Sequence, residues 1–225
     1  MGNDLEQFGS VRKESMSQSR WSEVDAYIVE RMIPVDPVLD SALRASEAAG
    51  LPQINVAPNQ GKLLQLLAQM QGARKILEIG TLGGYSTIWL ARALPEDGHL
   101  ITLEAQPAHA AVAKANIARA GLSERVDVRV GSALDTLPGL IQENLAPFDL
   151  IFIDADKPST ADYLAWALKL SRPGTAIICD NVVRDGEVVD ASSTDRGIVG
   201  VRRFFDLVAD IADVVIAQKI VNSYA

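Results

Sequence analysis

Apolar positions recur at helical spacing over residues 22–32 and again over 36–49, where Pro37 stands near the start and Gly50 just past the end. A third such segment, 59–71, carries Leu63, Leu64, Leu66, Leu67 and Met70 on one broad stripe, which reads as core. Beyond Gly72 the pattern changes to short β-branched runs alternating with amphipathic stretches, as in a parallel sheet with helices on both faces. The strands predicted are 75–79, 99–104, 126–130, 148–154, 175–180 and 214–221, and the helices between them 86–93, 108–120, 133–141, 160–170 and 199–211. Residues 1–19 are polar, with Ser10, Ser15, Ser17 and Ser19 among charges, and are expected to form a loose tail. The expected organisation is therefore that tail and one domain over 20–225. Its helices over 20–72 precede a doubly wound, mostly parallel α/β core over 73–225.

Composition narrows the classes. Of 225 residues 48% are apolar and 22% charged, enough apolar side chain for a sizeable core. Twenty-one basic against 29 acidic residues leave a net charge of -8, which repels phosphate backbones and anionic membrane surfaces. Neither nucleic acid nor a membrane is expected as a partner. The single Cys179 cannot form an internal disulfide, which fits a reducing cytoplasm. The opening Met1-Gly2-Asn3-Asp4-Leu5-Glu6 lacks a basic-then-apolar targeting pattern, and no apolar run reaches the roughly 18 residues of a membrane span.

In such a sheet ligands gather at the carboxyl ends of the strands. The first strand runs into Glu78-Ile79-Gly80-Thr81-Leu82-Gly83-Gly84-Tyr85-Ser86, where three glycines let the backbone pass close to a nucleotide-type ligand before a helix starts. The spacing is not G-x-G-x-x-G, so the dinucleotide fingerprint is not met, and a tight turn without ligand is the alternative. Glu104 ends the second strand, where an acidic residue can accept both hydroxyls of a ribose; without the loop it would read as a surface residue. Asp154 ends the fourth strand and Asp180 and Asn181 the fifth. Neighbouring strands lie about 4.8 Å apart, so these oxygens can converge on a hard divalent cation such as Mg²⁺, or else simply cap strand ends. Lys157 follows Asp154 by three residues. It is either a base beside that cation or a solvent-facing lysine paired with Asp156, and spacing alone favours the second.

Together the stretch from Glu78 to Ser86, the run His99-Leu100-Ile101-Thr102-Leu103-Glu104, the run Val130-Gly131-Ser132-Ala133, the box Asp154-Ala155-Asp156-Lys157 and the pair Asp180-Asn181 resemble the cation-dependent O-methyltransferases. These include the catechol and caffeoyl-CoA enzymes, and the resemblance runs from about residue 21 to 217. It implies the class I S-adenosylmethionine-dependent methyltransferase fold, Rossmann-like, with extra N-terminal helices. It further implies that Glu78, Gly80 and Ser86 hold the methionyl part of the cofactor within a loop that includes Thr81, Gly84 and Tyr85. Glu104 would take the ribose hydroxyls, Ala133 would lie beside the adenine, and Val56 would pack over the cofactor. Asp154 would bind the cation near the cofactor amino group, Asp180 and Asn181 would complete the protein ligands, and Lys157 would be the general base. The activity implied is methyl transfer to a hydroxyl of a small catechol-like or phenolic acceptor chelated by Mg²⁺, Mn²⁺ or Ca²⁺, by a homodimer. The family's seventh strand pairs with its sixth; with the chain stopping at Ala225, that last strand is expected to be missing. The polar stretch 184–196 stands where the family has a substrate-facing loop, or is an ordinary surface loop.

Two rival readings stand beside this one. A nicotinamide-dependent oxidoreductase on the same kind of sheet is disfavoured by the missing fingerprint, and a non-catalytic S-adenosylmethionine-binding protein would bind without transfer. An RNA acceptor is disfavoured by the acidic balance.

Overall fold

The computed structural model describes residues 18–211, which fall into two bodies divided after Val35. In the first, α1 (Gln18–Met32) begins one turn before the periodic pattern. Within it the Arg31 guanidinium lies 3.7 Å from the ring centroid of Tyr27, one turn earlier.

The second body starts at Asp36, whose carboxylate accepts from Val38 N and Leu39 N at 3.0 and 3.1 Å and so caps α2 (Pro37–Ala48). Helix α3 (Pro58–Met70) has no side-chain oxygen at its cap; Gln60 Oε1 reaches back instead to accept from Ala57 N at 2.9 Å. The stripe read as core on this helix needs correction. Its buried line is Gly61, Leu64 and Ala68, while Leu63, Leu66 and Met70 are exposed. Gly61 lies so close to the Trp89 indole that the helix meets its neighbour along one narrow seam, and leucines off that seam face away.

Five parallel strands follow: β1 (Lys75–Ile79), β2 (His99–Glu104), β3 (Val126–Val130), β4 (Leu150–Ile153) and β5 (Ala176–Cys179), in the order β3-β2-β1-β4-β5. Leu77, Ile79, Ile101, Leu103, Ile151 and Ile153 point to one face, where they pack against Leu137 and Leu140 of α6 (Ala133–Gln142) and Tyr163 and Ala167 of α7 (Thr160–Lys169). The alternate positions, including Glu78 and Thr102, point to the face of α4 (Tyr85–Ala91), with α5 (Pro107–Arg119) beside it. Burial on both faces explains why the strands are nearly continuous apolar runs.

Strands β4 and β5 are shorter at both ends than the predicted 148–154 and 175–180, although Asp154 N and Asp180 N still donate to Ile79 O and Ile153 O at 2.9 and 3.0 Å. After β5 comes an irregular stretch, Arg184–Val189, whose 3₁₀-like turns are broken by a kink at Asp185 and Gly186, and then α8 (Arg196–Ala209), which starts earlier than the predicted 199 because Asp195 caps it. The predicted strand 214–221 and most of the 1–19 tail lie outside the described residues, as does any strand beyond them. Among the described residues no helix is long and apolar enough to cross a membrane.

Candidate active site

The strand order reverses between β1 and β4, and the crevice at such a switch point is where α/β sheets bind ligands. Gly80 ends one of these strands and Asp154 the other. A Cβ on Gly80, where φ is +100°, would stand 2.0 Å from the Asp154 carbonyl oxygen. Gly83 is equally confined, by Ser46 Oγ of α2, and Gly84 has φ +80° at the start of α4. Thus two of the three glycines serve close approach of the chain to itself.

Glu78, on the last turn of pleat in β1, is fully buried. Ser86 Oγ donates to its Oε1 at 2.6 Å, and Thr102 Oγ1 (2.7 Å) and Thr87 Oγ1 donate to Oε2. Burial pushes its pKa up to about 7 against the pull of these three hydroxyls, and the Asp154 charge pushes the same way. Thr81 Oγ1 is 2.6 Å from Thr102 Oγ1, extending the network into the loop. Glu104 turns back over the same loop: its Oε2 accepts from Thr81 N and Leu82 N at 3.2 and 2.8 Å, its Oε1 from Gln106 N at 2.9 Å. The carboxylate expected to meet ribose hydroxyls fixes the loop's backbone, and of its roughly four acceptor positions one, on Oε1, is left for a ligand.

At the end of β4, Lys157 Nζ donates to Asp154 Oδ1 at 3.0 Å and to the Asp180 carbonyl at 3.3 Å. The lysine thus pairs with Asp154 and not with Asp156, which accepts from the Tyr163 hydroxyl. Ile153 and Cys179 are paired in register, which sets Asp154 and Asp180 side by side. Asn181 adopts φ +55°, and its N–H donates to Asp180 Oδ1 at 2.7 Å. Among the described residues no three acidic, histidine or cysteine side chains cluster; the expected trio is two carboxylates and an amide. These donors suit a hard cation, and Lys157 Nζ lies within hydrogen-bond reach of both the Asp154 carboxylate and the Asp180 carbonyl.

The remaining expected residues are more dispersed. Val56 is buried just before α3, and Ala133 is the buried first residue of α6, after β3. Tyr85 is buried edge-to-face on Trp89, 6.5 Å between ring centroids, so its ring belongs to the core beneath α4. Sequence reasoning missed Thr87 and Thr102, the partners of Glu78, and His109, whose Nδ1 lies 3.5 Å from Glu104 Oε1. A hydroxyl inside the apolar run of β2 was the available signal for Thr102. Cys179, beside Asp180, has its thiol pushed up to about 12, chiefly by burial, and is no nucleophile near neutrality.

Residues 33–221 match the O-methyltransferase family. The chain belongs to that family. A catechol O-methyltransferase of Niastella koreensis is 56% identical over 189 residues, covering 84% of this chain and 86% of that protein. A catechol O-methyltransferase of Mycobacterium tuberculosis is 50% identical, covering 84% of each. Among solved structures, the Bacillus cereus O-methyltransferase in complex with SAH superposes with a TM-score of 0.85 at 56% identity, covering 86% of this chain and 88% of that one. The O-methyltransferase TomG of Streptomyces achromogenes, involved in tomaymycin synthesis and in complex with SAM, gives 0.84 at 48% identity over 88% and 89%. The sheet is accordingly the class I methyltransferase fold, and the activity is S-adenosylmethionine-dependent O-methylation. The oxidoreductase reading falls with this membership.

Proposed function

We propose that this methyltransferase acts on a hydroxyl of a small catechol-like acceptor at the carboxyl ends of β1, β4 and β5. The observation that supports the reading is the Lys157 amine held 3.0 Å from Asp154 at the switch point, where Asp154 also adjoins the glycine loop through Gly80. Glu78, Ser86 and Glu104 position the methyl donor, with Val56 and Ala133 packing against it. As the neutral amine, Lys157 accepts the proton of the acceptor hydroxyl and becomes an ammonium; the oxygen attacks the methyl carbon in line, the carbon–sulfur bond breaks, and a neutral thioether leaves. Bound by Asp154, Asp180 and Asn181, a divalent cation would supply Lewis-acid lowering of the hydroxyl's pKa. Mg²⁺ is the cation in this reading and a homodimer the assembly, both supported by the family resemblance. The single cysteine supports the cytoplasm as its place.

Labelled methyl transfer from S-adenosylmethionine to catechols and to matched monophenols, with Mg²⁺ or with a chelator, tests the reading. Transfer restricted to catechols and abolished by the chelator is expected. Transfer that survives the chelator would remove the cation from the reading.

A further inference from the structure

The 181–195 segment is flanked on both sides by residues that lie against Lys157. Before it, the Asp180 carbonyl accepts from Lys157 Nζ at 3.3 Å. Past its far end a Cβ on Gly197 would stand 3.4 Å from Lys157 Cβ. Between these anchors the backbone is held in conformations that side chains rarely adopt: φ is +55° at Asn181, +50° at Arg184 and +53° at Asp185. Such a path persists only where its surroundings hold it. The Asp190 carboxylate closes a turn by accepting from Ser192 N at 2.9 Å and Ser192 Oγ at 2.6 Å. The guanidinium of Arg202, two turns into α8, then grips that turn: Nη2 donates to the Ser193 carbonyl at 2.9 Å and Nη1 to the Asp190 carbonyl. The same helix lies hard against the backbone of the lysine, since a Cβ on Gly200 would stand 2.3 Å from the Lys157 carbonyl oxygen and 2.7 Å from Pro158.

We propose that Arg202 is a positioning residue for the acceptor, clamping the 181–195 segment to α8 so that the segment is held beside the Lys157 amine. This rests on the reading that the acceptor's hydroxyl reaches Lys157. The residues that flank the segment, Asp180 and Gly197, lie against Lys157, so the segment starts beside the amine that such a hydroxyl reaches. The forked guanidinium satisfies two carbonyls at once, which a lysine ammonium on a flexible stem matches only in part.

Arg202→Ala and Arg202→Lys are compared in the full chain with a catechol acceptor at saturating S-adenosylmethionine. The alanine variant is expected to raise the acceptor KM about tenfold while kcat and SAH affinity stay within about twofold, with the lysine variant intermediate. Amide hydrogen exchange in the protein without ligands supplies a readout that needs no acceptor. Amides of residues 184–195 should exchange about tenfold faster in Arg202→Ala, and those of the sheet should be unchanged. Unchanged exchange in the segment overturns the clamp. Faster exchange with an unchanged acceptor KM overturns the positioning role, as does a parallel loss of SAH affinity. If the unmodified protein transfers to no catechol at all, the reading of the acceptor is at fault, and exchange alone then decides whether Arg202 is the clamp.

Discussion

Glu78 shows how a single side chain joins fold to chemistry. Protonated, it suits the buried pocket between β1, β2 and α4; ionised, it depends on three hydroxyls for what water would otherwise give. Its folded-state pKa of about 7 stands above the ordinary 4.5, so the folded protein holds the proton more tightly than the unfolded chain does. The stability from this residue is complete below the ordinary value and is lost as pH rises through about 7. The melting temperature of the protein without ligands should fall between about pH 5 and about pH 8, and Glu78→Gln should flatten that fall. An equal slope in the variant would refute the assignment. Asp36 and Asp149 act in the opposite window. Arg92 holds Asp36 low, while for Asp149 burial opposes and Arg172 with the N–H groups of Arg74 and Lys75 prevails; both contributions vanish on acidification below the usual 3.8. That Glu78 and Asp154 stand at the carboxyl ends of neighbouring strands was legible from the apolar runs that carry them. The partner of Lys157 was not, because two carboxylates lie within reach in sequence and only the turn after β4 decides between them.

Among the elements, α3 is the informative misreading. Five apolar residues on a broad stripe pointed to five core positions, yet the helix approaches its neighbour through Gly61, and a glycine leaves no trace in a hydrophobic pattern. A Cβ at this position would fall 2.3 Å from Cδ1 and Nε1 of Trp89. Gly61→Ala is therefore expected to cost about 1–3 kcal/mol and lower the melting temperature by several degrees. An unchanged melting temperature would mean that α3 rides free of α4. The strands were legible because burial on both faces leaves continuous apolar runs, whereas α8 begins earlier than its periodicity indicated because its start is set by the Asp195 cap, accepting from Gly197 N at 2.8 Å and Ile198 N at 3.0 Å.

Across the whole molecule the order β3-β2-β1-β4-β5 does what no local stretch can: it brings residues 78–86, 104, 154–157 and 180–181 to one edge of one sheet. The ends of the strands were legible in the sequence, and the resemblance to a family implied their roles; the register and the packing of α8 on Lys157 arise only from the tertiary fold. On the proposed function, Lys157 takes the acceptor's proton. Its most direct test is single-turnover methyl transfer to a catechol by Lys157→Met beside the unmodified protein, with SAH affinity measured in parallel. Transfer is expected to slow by about 10²–10⁴-fold while SAH affinity is retained. Transfer by Lys157→Met at the unmodified rate would contradict it.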